Sequence, residues 1–204
     1  RDILIAAALG AGPVADAFVV ALRIPTLMRR FLAEGAFNTA FVPLYEEAER
    51  RGGGERFAGE VFSFVAAAAL LLTAVGLAAM PLIVSAIAPG LSREGGSFDL
   101  AVELSRTTFP FCLSTALSVV AAAILSTHGR FVAASLAPAL LNTVLLAALL
   151  GLAALGAHGA AAALFLAFAL LAGSIAQCAL VLAAFARVGP TLRLRWPRLT
   201  PDMR

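Results

Sequence analysis

The sequence contains no lysine: all fifteen of its basic side chains are arginine. Such a set follows from genome composition more readily than from function. Charge of either sign is scarce, at 13% of the 204 residues, where soluble domains carry about a quarter. A chain that is 61% hydrophobic, with a mean hydropathy of +0.96, cannot hide its apolar surface from water in one globular core. That excludes an ordinary soluble domain and points to a membrane protein. The net charge of +3 and the pI near 9.6 would suggest nucleic acid for a soluble protein. In a membrane protein the excess of arginine reads as topology instead.

Other absences narrow the chemistry. The two cysteines, Cys112 and Cys178, both fall inside apolar runs and read as small buried hydrophobes, not as a disulfide or metal pair. His128 and His158 have no metal-ligand or nucleophile partner at workable spacing. The glycine run 52–54 lacks the Lys and Ser/Thr context of a phosphate loop. The one acidic cluster, Glu46, Glu47 and Glu49, sits beside arginines and does not resemble an Asp-rich metal motif. An enzyme, including a membrane-embedded one acting on polyprenyl phosphate, is therefore disfavoured. No signal peptide is recognisable. The chain opens on Arg1 and Asp2 and then ILIAAALG, which reads as the tail of a helix that starts upstream. The expectation is a fragment of a longer protein.

What is present in quantity is long apolar sequence. A bilayer crossing takes about 20 residues. Residues 61–89 and 107–127 each supply one crossing, and 131–186 supplies two antiparallel helices broken at Gly156-Ala157-His158-Gly159. With the charged stretch from Asp16 and the apolar tail 1–9, this makes five complete crossings plus the end of one more. The fold class is all-α integral membrane, a polytopic helix bundle. Loops 46–56, 127–130 and 187–204 hold nearly all the loop arginines, whereas the alternating loops 10–15, 90–99 and 156–159 hold only Arg93. Arginine counts set orientation, so the first group and the upstream start are assigned to the cytoplasm. Pro25, Pro43, Pro81, Pro110 and Pro138 fall within or beside spans, where proline kinks are tolerated if neighbours re-satisfy the freed carbonyls.

The stretch 16–43, DAFVVALRIPTLMRRFLAEGAFNTAFVP, puts ionisable groups at membrane depth. Each is costly there, by a few kcal/mol on insertion scales. At about 100° per residue, Asp16, Arg23, Arg30, Glu34 and Asn38 fall within roughly 40° of one line, while Arg29 points about 100° away from Arg30. Three readings compete. Arg30 and Glu34, four residues apart, can pair with each other. Single groups near an interface can snorkel, but five cannot do so at once. The favoured reading is a hydrophilic cavity, because Arg23, Arg29 and Arg30 outnumber Asp16 and Glu34 and the guanidinium fork suits oxyanions. The cargo is then anionic, and Arg1 and Asp2 extend the same theme. Elsewhere, Glu103 and Arg106 are expected to form a boundary ion pair, and Asn142 and Gln177 to bond between helices.

Residues 1–43 also carry a resemblance. The RD pair, the GAG–DAF turn, the R-I-P-x-L-x-R-R run and the AEGAF–AFVP block closely resemble the start of the MurJ (MviN) family of lipid II flippases, within the multidrug/oligosaccharidyl-lipid/polysaccharide exporter superfamily. Weaker similarity runs on through TFPF at Thr108 and THGRF–APALLN at 127–142. The resemblance implies fourteen transmembrane helices, in two six-helix lobes plus two. Residues 1–186 would be the N-terminal transmembrane lobe, from the end of helix 1 through helix 6. Residues 187–204 would be a cytoplasmic inter-lobe loop, with the C-terminal lobe and its lipid-tail groove absent from this chain. It implies a cargo, the undecaprenyl-linked anionic glycolipid of peptidoglycan synthesis, moved from the inner to the outer leaflet of the cytoplasmic membrane by alternating access. Arg1 and Arg29 match essential cavity arginines of the family, Asp2 and Asp16 match functional acidic positions, and Arg30 and Glu34 match motif positions. The expected site is thus Arg1, Arg29, Arg23 and Arg30 for substrate, with Asp2, Asp16 and Glu34 balancing charge or coupling to an ion. No cofactor is expected beyond coupling to the membrane potential or a monovalent cation. The bilayer is a partner, nucleic acid is not, and no oligomer is required. The family often has asparagine where this chain has Thr26, a change that leaves the kink at Pro25 intact. The alternatives are a flippase for another lipid-linked oligosaccharide or a MATE-like antiporter, though an antiporter of cationic drugs would line its cavity with acids.

Overall fold

A computed structural model describes residues 5, 9–10, 12–33, 36–91 and 96–188. They form eight helices: α1 Pro13–Ala33, α2 Ala36–Arg50, α3 Gly54–Ala78, α4 Met80–Ile87, α5 Ser97–Thr108, α6 Phe111–Thr127, α7 Phe131–Leu155 and α8 Ala160–Val188. Gly54–Ala78, Ser97–Thr127, Phe131–Leu155 and Ala160–Arg187 are long and apolar enough to cross a membrane. Four of the five complete crossings read from the sequence thus have a span of this kind, and the charged stretch from Asp16 forms α1 and α2. With no water in a bilayer core to meet free backbone groups, helices are the form such segments must take.

Proline decides where these passes break. Helices α1, α2 and α7 run through Pro25, Pro43 and Pro138. At Pro81 the pass stops and restarts: α3 ends at Ala78, and the amides of Leu82 and Ile83 both donate to the Ala79 carbonyl, at 3.0 and 3.1 Å. Pro110 likewise separates α5 from α6, where the Cys112 amide donates to the Phe109 carbonyl at 3.0 Å. The missing proline N–H and the clash with the carbonyl four residues back account for both breaks. The hairpin between α7 and α8 turns at residues 156–159 as its glycines suggest, with Gly156 at φ 61° and Gly159 at φ 77°.

Several expectations need correction. The span read as 107–127 begins a helix earlier, at Ser97, which places Glu103 and Arg106 on α5 inside the pass. Both are exposed, and they do not pair: the ion pairs among the described residues are Glu47 with Arg50 and Arg51, and Arg56 with Glu60. The loop read as 46–56 shrinks to residues 51–53, with Gly52 at φ 73°, because its charges sit on helix ends. The amide of Gln177 also departs from expectation, since its Oε1 is buried without a partner.

The core has a cluster at each end of the bundle. One joins the start of α1, α4, α5, the end of α7 and the start of α8, where Ala17, Ala21, Ala101, Ala162, Ala163 and Ala167 have no exposed surface. Small side chains let backbones approach closely, and the Thr108 hydroxyl donates across this interface to the Ala21 carbonyl at 3.2 Å. The other joins Phe41 and Tyr45 of α2, the start of α3, the end of α6 and the end of α8. Arg50, Arg51, Arg56, Arg130 and Arg187 all belong to helix ends or turns on this second side, so the arginine-rich loops gather at one end. Between the clusters lie Phe111, Leu141, Leu145 and Leu170. Outward faces are apolar, with Leu70, Leu71 and Leu72 of α3 and Phe165 and Phe168 of α8 exposed, as hydrocarbon contact requires.

Close packing makes two glycines sensitive. A Cβ at Gly76 would collide with the Phe109 ring, and one at Gly173 would come within 2.8 Å of Leu141 Cδ1. Overpacking of this kind costs about 1–3 kcal/mol. Gly76→Leu should therefore lower the thermal unfolding midpoint of the detergent-solubilised protein by several degrees. Gly151→Ala, whose added carbon meets open space, should leave it unchanged. Equal midpoints for the two variants would contradict this packing.

Candidate anion-binding site

Helix α1 is positioned by its ends and by its buried face. Proline is well suited to a first helical turn, and Pro13 opens the helix. Asp16 in the first turn and Arg30 in the last both complement the helix dipole. Ala17, Phe18, Val20 and Ala21 are buried in the core cluster with α5 and α8. That register leaves Asp16, Val19, Arg23, Thr26, Leu27 and Arg30 exposed on the opposite side. The stripe read from spacing is therefore present over its described part.

The arginines divide between two hollows. Arg23 and Arg30 line an open groove of about 400 Å³ together with Val19, Leu22, Thr26 and Leu27. Arg23 also reaches across to α4, where its Nη1 donates to the carbonyl of Ile87 at 3.4 Å. Ile87 is the last residue of that short helix, and terminal carbonyls lack intrahelical partners and carry partial negative charge. Arg29 faces a different place, a cleft of about 90 Å³ between α1, α6, α7 and α8. Its walls are Phe18, Leu22 and Pro25 of α1, Phe111 of α6, a ladder of Leu141, Leu145 and Leu149 on α7, and Leu166 and Leu170 on α8. Leu22 and Thr26 belong to both hollows and form the ridge between them. Among the described residues no ion pair or hydrogen bond engages the charged groups of Asp16, Arg29 or Arg30.

Arg1, Asp2 and Glu34 lie outside the described residues, and with them the Arg30–Glu34 pairing; nothing is described of the Asn38 side chain. The structure brings Arg23 and Arg30 together and sets Arg29 apart. It adds Thr26 and the leucine ladder, which sequence reasoning missed. Helix α7 has apolar residues on every side, so no periodicity marked which of its leucines face inward. Thr26 did carry a signal: it is three residues before Arg29, and so on a neighbouring face.

Other reactive side chains are occupied locally. His128 Nδ1 lies 3.0 Å from the Ile124 carbonyl at the end of α6, and its ring is 6.0 Å from that of Tyr45. Cys112 and Cys178 are buried and free. Among the described residues no cluster of His, Cys, Asp and Glu could hold a metal ion. What the site offers is a guanidinium fork beside an apolar hollow, which is chemistry for binding an oxyanion attached to hydrocarbon.

The fold and this arrangement define a multi-pass, all-helical membrane protein with ionisable groups carried along one helix of its bundle. A family profile described as "Lipid II flippase MurJ" matches residues 5–204. A "Probable lipid II flippase MurJ" of Rhizobium tropici is 41% identical over 208 residues, covering 100% of this chain and 39% of that protein. The protein of the same description from Rhizobium meliloti is 40% identical with the same coverage. The "Lipid II flippase MurJ" of Burkholderia cenocepacia is 42% identical over 151 residues, 72% of this chain and 29% of its own length. The chain belongs to the MurJ family of bacterial multi-pass membrane proteins. It spans about two-fifths of the length of the Rhizobium relatives.

Proposed function

We propose that the full-length protein carrying this lobe moves lipid II, the undecaprenyl-linked peptidoglycan precursor, from the inner to the outer leaflet of the bacterial cytoplasmic membrane by alternating access. It works as a transporter and not as an enzyme. The observation that carries this reading is the Arg29 guanidinium, unpartnered among the described residues at an apolar cleft, in a chain whose relatives are named lipid II flippases. Arg29 and Arg1 hold the pyrophosphate or the peptide carboxylates of the cargo. Arg23 and Arg30 form a second binding direction along the open groove. Asp2, Asp16 and Glu34 balance these cations or couple movement to the membrane potential or a monovalent cation. Residues 1–186 act as the N-terminal lobe, and residues 187–204 connect it to a second lobe.

The role of Arg29 is tested in cells depleted of their own flippase. Full-length protein bearing Arg29→Ala should insert normally and fail to support growth, while Arg29→Lys, which keeps the charge and loses the bidentate fork, should support it weakly. Normal growth of the Arg29→Ala strain would remove Arg29 from the site. Orientation follows from the arginine-rich end facing the cytoplasm. A periplasm-dependent reporter should be active when joined at Ala157 and silent at Gly129, and the reverse pattern would invert the topology.

A further inference from the structure

We infer that the hollow at the turn between α2 and α3 binds the headgroup of a zwitterionic phospholipid, a phosphate joined through two carbons to a primary ammonium, whose acyl chain lies along α3. It lies apart from the arginines of α1 and holds a bilayer lipid, not the cargo. The hollow, of about 380 Å³, is lined by Leu44 and Phe57 and by two arginine–glutamate pairs. Arg51 donates from Nε and Nη2 to Glu47 Oε1, at 2.9 and 2.8 Å. Arg56 donates from Nε to Glu60 Oε1, at 2.9 Å. Each guanidinium is thus held at one edge by a glutamate four residues away. Both arginine side chains stay well exposed, at 73% and 64%, and a guanidinium has five N–H donors, so most of each fork remains open to a phosphate. Glu47, half-exposed, keeps acceptor capacity in the same way, since an ionised carboxylate has about four lone-pair sites.

The balance of charge selects the headgroup. Residues 46–60 hold five glutamates and three arginines, so an anionic headgroup meets repulsion over the turn as a whole. A bare ammonium meets the two anchored guanidiniums. A headgroup of both signs sets its phosphate against Arg51 and Arg56 and its ammonium against Glu47, and matching of this kind gives specificity more than raw affinity. Position selects a lipid over a soluble phosphate ester. The turn stands at the start of Gly54–Ala78, a helix long and apolar enough to cross a membrane, and Leu44 beside it is exposed. Phe57, Phe64, Leu71 and Val75 follow at spacings of seven, seven and four residues, which keeps them on one face of α3. The last three are exposed. Half the hydrocarbon thickness is about 15 Å, or about ten helical residues. An acyl chain leaving the hollow past Phe57 therefore runs over Phe64 toward Leu71, along the outward face of the helix.

The experiment uses full-length protein in phosphatidylcholine nanodiscs. Into these is doped phosphatidylethanolamine, phosphatidylglycerol or phosphatidylcholine carrying a diazirine high on one acyl chain. Labelling of residues 44–64, read by peptide mass spectrometry, should favour phosphatidylethanolamine over both others by roughly two- to fivefold, the range that exposed charge pairs supply. Glu47→Gln, which removes the partner of the ammonium, should abolish that preference and bring phosphatidylglycerol to at least equal labelling. Arg51→Gln should lower phosphatidylethanolamine labelling, whereas Arg130→Gln, at the same end of the bundle but outside the hollow, should leave it unchanged. An unchanged thermal midpoint in each variant reports an intact fold. Whatever the variants do, equal labelling of unmodified protein by the three lipids, or a preference for phosphatidylglycerol, would overturn the site. So would a preference that survives Glu47→Gln. Free phosphoethanolamine in millimolar excess should not compete, and loss of labelling to it would assign the hollow to a soluble phosphate ester and overturn the lipid.

Discussion

A guanidinium among hydrocarbon side chains is unfavourable by a few kcal/mol unless an anion, or enough water, meets it. Helix α1 carries three arginines into a bundle in which α6 and α7 have no charge, and among the described residues none of the three forms an ion pair. Arg23 finds a helix-terminal carbonyl. Arg29 and Arg30 are left facing two hollows. Among the described residues their charge has no counter-charge, and water or an outside anion has to complete it.

The face of α1 that packs into the bundle is apolar. The alanine faces of α1, α5 and α8 pack without exposed surface, and Thr108 ties α5 to the Ala21 carbonyl. Close approach through small residues does for a membrane bundle what large side chains do in a soluble core. It also fixes the rotation of α1 about its axis. With Ala17 and Ala21 turned inward, Arg23 and Arg30 must share one groove and Arg29 must enter the other. The prolines contribute differently according to place: Pro25 lies inside α1 and lines the cleft, whereas Pro81 and Pro110 break their passes into unequal pieces.

The legible part of this architecture was the part written in composition and period. Charge-free runs gave the passes, the glycines at 156 and 159 gave the last hairpin, and a spacing of seven residues gave the stripe of Asp16, Arg23 and Arg30. The angle between neighbouring residues also foretold that Arg29 and Arg30 part company. Other features depend on what lies across an interface, where sequence offers little. Glu103 and Arg106 have the spacing of a pair, yet among the described residues they do not form one. The leucines of α7 that face Arg29 look no different from those that face outward, since a helix apolar on all sides has no period to read. Arg1, Asp2 and Glu34, which the sequence reading joined to this charged set, fall outside the described residues.

The relatives are named for lipid II, and the chain covers 39% of the length of the Rhizobium proteins. Full-length protein reconstituted into liposomes with fluorescent lipid II in one leaflet gives the decisive reading. Wild-type protein should expose the labelled headgroup to an added quencher many-fold faster than liposomes alone, and Arg29→Ala should return the rate to the protein-free value. A rate that Arg29→Ala leaves intact, or no acceleration by the wild type, would contradict a flippase that grips its cargo through this arginine.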